Sequence, residues 1–139
     1  MNRAEIIREI EVKRSSISRL NDQLGTLKKR LSRLDDLADG CRLANYRLDD
    51  FRADQHQAAQ SIKSKFADVR FALQHADTIQ ELNKGLSAQQ AEDGLRLAAN
   101  RIELDQLQCD DQIRNLKIKV ADLEYQVSQL QYLLSVTTE

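Results

Sequence analysis

Two cysteines, two histidines and three Asp-Asp pairs are residues whose chemistry reaches beyond packing. Cys41 and Cys109 each lack a neighbouring Cys or His at zinc-ligand spacing, and His56 and His75 stand apart from each other and from any such cluster. The pairs Asp35-Asp36, Asp49-Asp50 and Asp110-Asp111 are immediate neighbours. On a helix such neighbours point in different directions, so none converges as an acid and a base. The chain has no glycine-rich phosphate loop and no Ser/His/Asp elbow. The expectation is therefore no catalytic site, no cofactor, no metal and no small-molecule substrate. Both histidines read as surface or half-buried helical side chains. Cys109 lies on an apolar seam and reads as a small buried residue, whereas Cys41, directly after Gly40, has room to be exposed.

One cluster is basic: Lys28, Lys29, Arg30 and Arg33. It contains no aromatic residue for stacking on bases and is followed at once by Asp35 and Asp36. With a formal net charge of −1 for the whole chain, it reads as a solvated or docking face and not as a nucleic-acid site. Charge is unevenly distributed. Residues 1–38 carry nine Lys/Arg against six Asp/Glu, residues 39–86 seven of each, and residues 87–139 five against nine. A basic first segment and an acidic last one favour lying side by side, although exposed pairs contribute under about 1 kcal/mol each.

The elements that carry these residues are helices. The chain has no proline, no tryptophan and four glycines, with 31% charged and 4% aromatic residues, a composition suited to long helices with narrow apolar seams. Ile113, Leu116, Val120, Leu123, Val127, Leu130 and Leu134 alternate steps of three and four without a miss, which is a heptad seam. Ile6, Ile10, Ile17, Leu20, Leu24, Leu27, Leu31 and Leu34 follow the same alternation, with Lys13 in one slot. Asp39-Gly40 then reads as a helix stop. A looser stripe follows in Leu48, Phe51, Ala58, Ile62, Phe66, Val69, Leu73 and Ala76, interrupted by Gln55. Gly85 marks a second break, and Ser87 with Gln90 forms a capping-box pattern. The fold class expected is all-α: an elongated antiparallel helical bundle or coiled coil of two to three long helices. The 139 residues form one domain, residues 1–139, with helices over about 2–38, 41–84 and 87–136.

Register narrows the arrangement. If Gly85 alone is a turn, paired residues sum to about 171, residue 62 faces residue 109, and most of the first seam is left in water. If Gly40 turns as well, three helices run up, down and up. The first then lies parallel to the third, near residues 98–126, and the helices are roughly 55–75 Å long. The second arrangement is favoured, and it places Cys41 near residue 126. It also leaves Val127, Leu130, Leu133, Leu134 and Val136 beyond the end of the first helix. An apolar tip without internal cover is the expected partner-binding surface, for an identical or a different protein chain.

The opening Met-Asn-Arg-Ala-Glu lacks an apolar signal core, and no apolar run reaches the roughly 20 residues of a membrane span. The expectation is a cytoplasmic protein without a membrane partner, with export by a route that needs no cleaved signal left open.

The layout of a short helical protein with a turn at Asp39-Gly40 resembles the small helical partner proteins encoded with LXG toxins of Gram-positive type VII secretion, relatives of the WxG-type ESX proteins. Those families carry a Trp-x-Gly turn, and the tryptophan is missing here. They also carry an aromatic-x3-acidic export signal, which Tyr46-Arg47-Leu48-Asp49-Asp50 matches through Tyr46 and Asp50. The resemblance covers length, helix order and turn position. It implies a non-catalytic partner or targeting chaperone that packs beside a toxin's helical domain and presents it for secretion. Two other readings stand beside it: a generic coiled-coil adaptor or structural subunit, and a chaperone of another export system such as the flagellar one.

Overall fold

The computed structural model describes residues 1–138. The described residues form three α-helices, α1 (Arg3–Lys65), α2 (Arg70–Lys84) and α3 (Leu86–Val136), and no strand. The chain is all-α, as its seams predict. It divides into two compact units: Met1–Leu34 with Asp105–Glu139, and Asp35–Leu104.

The largest departure from the sequence reading is at Gly40. α1 passes straight through Asp39-Gly40, and no glycine has a positive φ. The expected helices over 2–38 and 41–84 are replaced by one helix and a short second one. Two local features explain the continuity. The alternation of three and four keeps its phase beyond Leu34, through Ala38, Cys41, Leu48, Arg52, Gln55, Ala59 and Ile62, with exposed Asn45 in the one slot that faces out, so the same face otherwise stays inward. Arg42 also pairs with Asp39 one turn back, bridging Gly40, and such i,i+3 pairs stabilise a helix by about 0.2–0.5 kcal/mol. The turn lies instead at residues 66–69. There the Val69 N–H donates to the Phe66 carbonyl at 3.0 Å, in a stretch holding neither glycine nor proline.

In the first unit, α1 and α3 run antiparallel, not parallel. Arg3 reaches the Leu134 carbonyl, Lys13 reaches Gln126, and Cys109 reaches the Leu27 carbonyl. α1 opens on a reciprocal cap in which the Glu5 N–H donates to Asn2 Oδ1 at 2.9 Å and the Asn2 N–H to Glu5 Oε2 at 3.0 Å, satisfying two donors that a helix start leaves free. The two heptad seams face each other. Ile6, Ile10, Leu20, Leu24 and Leu34 are buried on α1, and Cys109, Ile113, Val120 and Val127 on α3. At about 1.5–3 kcal/mol for each large aliphatic side chain removed from water, this seam supplies most of the unit's hydrophobic stabilisation. Lys13, in its seam slot, is half-buried and donates to Gln126 Oε1 at 2.8 Å.

The second unit is held differently. Among the residues whose burial is described, only Ala59 and Ala76 are buried there, small residues that let α1 and α2 approach closely. Polar stitches do the rest. Lys63 Nζ meets Asp77 and Gln80, each at 2.8 Å. Arg52 pairs with Glu92 at 2.8 Å and donates to the Asn83 carbonyl at 3.2 Å, while Asn83 Nδ2 returns a bond to the Arg52 carbonyl at 2.9 Å. The stripe expected here is partly turned outward: Phe51, Ala58, Phe66 and Val69 are exposed, whereas Gln55 is half-buried. The phase inherited from the first seam decides this. α2 ends at Gly85, and α3 starts at Leu86, one residue before the expected cap Ser87, with the Gln89 N–H donating to the Gly85 carbonyl at 3.2 Å.

Candidate partner-binding surface

The expected apolar tip is covered from within. Val127 is buried in one cluster with Ile6 and Ile10, and Ile17, Leu130 and Leu134 pack against it. The premise that these residues lie beyond the reach of α1 fails because antiparallel α1 begins where α3 ends. Arg3 reinforces the junction by donating to the carbonyls of Leu134 at 3.1 Å and Thr137 at 3.2 Å, placing a cation on the carbonyls that a helix C-terminus leaves unpaired. Of the five tip residues, only Leu133 (40%) and Val136 (57%) remain exposed. Tyr46 and Asp50, one turn apart in the middle of α1, are both exposed. They sit within a continuous helix, not beside a turn.

The candidate chemical residues do not converge. Cys109 is buried, its Sγ donating to the Leu27 carbonyl at 3.2 Å, and Cys41 is half-buried; both are free thiols. Cys41 belongs to the second unit, and Gln126, near which it was expected, instead meets Lys13 in the first. His56 and His75 are exposed, as are Lys28, Lys29, Arg30 and Arg33. Among the described residues no group of three or more His, Cys, Asp or Glu could hold a metal ion, and no helix is long and apolar enough to cross a membrane.

Two surface features were not legible in the sequence. In the first unit a groove of about 660 Å³ opens between α1 and α3. Half-buried Leu27 and Leu116 line it, and Arg19, Gln23, Gln112 and Lys119 stand among its exposed walls. The groove exists because a two-helix seam covers its leucines on one side only. The expected third helix would have closed it. A smaller depression of about 350 Å³ in the second unit is lined by Leu48, Phe51, Ile79 and Leu82 beside the Arg52–Asn83 stitch. The second feature is an exposed apolar row on the outer face of α3, containing Leu107, Ile118, Tyr125 and Tyr132. Their composition, an apolar floor with a polar rim in one and exposed tyrosines in the other, is of the kind that protein–protein contacts use. No family model, curated protein or solved structure matches the chain.

Proposed function

We propose that the protein is a non-catalytic helical binding protein that receives an amphipathic helix of another protein in the groove between α1 and α3. The supporting observation is the half-buried pair Leu27 and Leu116 in an open groove with a polar rim. A helix laid there completes a three-helix bundle and buries the leucines on their open side, the helix-in-groove mode of recognition. The specific form of this reading follows the sequence resemblance: a partner chaperone whose guest is the helical domain of an LXG-type toxin, with Tyr46 and Asp50 on the exposed face of α1 as the export signal.

Groove filling tests the reading without touching the seam. Gln23→Trp and Gln112→Trp each place a large ring in the groove from an exposed position. Co-expressed with the helical N-terminal domain of an LXG toxin from the same genome, the native chain is expected to co-purify with it. Each variant is expected to lose at least about tenfold in affinity, with unchanged helicity and melting. Undiminished capture by both folded variants would remove the groove from the account. Failure of the native chain to capture any such domain would remove the toxin.

A further inference from the structure

α3 carries a second heptad row on its outer face. Leu107, Asp111, Arg114, Ile118, Ala121, Tyr125, Ser128 and Tyr132 again alternate steps of four and three, and every one is exposed. All lie in the first unit. The inner seam of α3 is occupied by α1, and the polar members of this row are satisfied along α3 itself, Arg114 pairing with Asp111 at 3.3 Å, the Ser128 hydroxyl donating to the Glu124 carbonyl at 3.0 Å and the Tyr125 hydroxyl accepting from Gln129 Nε2 at 3.0 Å, while the apolar side chains between them face water. Ile118 (55%) and Tyr125 (65%) are large apolar surfaces in water, on a helix face that an isolated two-stranded coil fills with polar residues.

The row is self-complementary. We propose that it pairs antiparallel with the same row of a second copy of this chain, about a two-fold axis at the level of Lys119 and Val120. In that register Ile118 of one copy meets Ala121 of the other, and Leu107 meets Tyr132. Arg114, held beside Asp111 on its own helix, then faces the Tyr125 ring of the other copy, a cation–π arrangement, and Asp111 falls opposite Ser128. Each contact occurs twice, as an isologous interface requires. The flanking residues agree with it: Lys117 of one copy falls beside Glu124 of the other, twice, and Asn115 falls beside Asp122. No like charges are opposed among these pairs. The row spans about 38 Å of helix and stands on the opposite side of α3 from the α1 seam, so self-pairing does not depend on the groove or on its proposed guest.

Two registers of charge separate this arrangement from non-specific stickiness. Lys117→Glu brings four glutamates together across the axis, and Glu124→Lys brings four lysines. The double variant Lys117→Glu/Glu124→Lys restores opposite charges with the order reversed. All four of these chains keep the inner seam intact, because both positions are exposed; circular dichroism confirms that each is folded. Sedimentation velocity of the reduced full chain, from about 1 to 200 μM, is expected to show the native mass doubling with concentration, in the affinity range of small interfaces. Each single reversal is expected to weaken the dimer roughly tenfold or more, and the double to recover the native value. A native chain that stays monomeric throughout overturns the proposal. So does a dimer indifferent to both single reversals, or one that the double reversal fails to restore.

Discussion

Replacing Gly40 by alanine separates a continuous α1 from a chain that turns at this residue, because the two arrangements give opposite signs. Gly40 lies inside α1, is exposed, has no positive φ, and an added Cβ would meet nothing within 4 Å beyond the helix's own neighbouring backbone. In a helix interior alanine is favoured over glycine by about 0.5–1 kcal/mol, partly through the unfolded chain's smaller freedom. Had Gly40 been a left-handed helix stop, alanine would cost about 1–2 kcal/mol instead. At about 2.1 cal/mol/K per residue, the unfolding entropy of a chain this size is roughly 0.3 kcal/mol/K, so the expected gain is about 2–3 °C in Tm. If the unit holding Gly40 melts by itself, the shift is roughly twice as large. Gly85→Ala supplies the contrast. There the new Cβ would lie 3.2 Å from the Glu81 carbonyl oxygen and 3.3 Å from that of Leu82. These are backbone atoms of the last turn of α2, and the Leu82 oxygen already accepts from the Gly85 N–H, so they have little room to retreat. Thermal and urea melts followed at 222 nm should show Gly40→Ala raising stability and Gly85→Ala lowering it. A destabilised Gly40→Ala protein would refute the uninterrupted helix.

Two further outcomes follow from how differently the two units are held. Ile6 is fully buried against Ile10 and Val127, so Ile6→Ala is expected to cost about 2–4 kcal/mol in urea melts, against under about 1 kcal/mol for half-open Leu133→Ala; equal costs would mean that α1 does not cover the end of α3. Amide exchange should be faster across residues 35–104 than in the seamed residues 6–34 and 105–134, because the core described for the second unit is two alanines and the unit rests on half-buried polar stitches, and mass spectrometry of deuterated peptides showing uniform protection would contradict this.

How far the sequence could be read is decided at one residue. The seams Ile6–Leu34 and Ile113–Leu134, the break at Gly85 and the pairing of the basic first segment with the acidic last one were all visible, because each rests on periodicity or on summed charge. By local punctuation the glycine after Asp39 reads as a helix stop; by phase it does not. The phase continues to Ile62, missing only the slot of exposed Asn45, and a helix that truly ended at Gly40 would have no reason to preserve it. What hid this continuation is its content: Ala38, Cys41, Arg52, Gln55 and Ala59 occupy the inward slots, while Phe51 and Phe66 point out, so hydrophobicity alone favoured a different stripe. The real turn at residues 66–69 carries none of the residues that usually announce one.

From that single misplaced turn the error in the site follows mechanically. With a turn at Gly40, α1 is too short and too far away to reach Val127, Leu130 and Leu134, and those side chains become an uncovered tip. With α1 continuous to Lys65, its first turn lies against the end of α3, and Ile6, Ile10 and Arg3 close the tip. The same change removes the third helix from the first unit. The side of Leu27 and Leu116 that this helix would have covered is left open, and the docking place we propose therefore lies on the flank of the helix pair and not at its end. A heptad pattern tells which face of a helix is apolar; how many helices share that face depends on where the chain turns. The outer row of α3 is hidden in the sequence for a related reason. Its residues recur every seven positions, as the seam's do, and only the placement of α1 on the opposite side shows that α1 does not cover Ile118, Tyr125 and Tyr132.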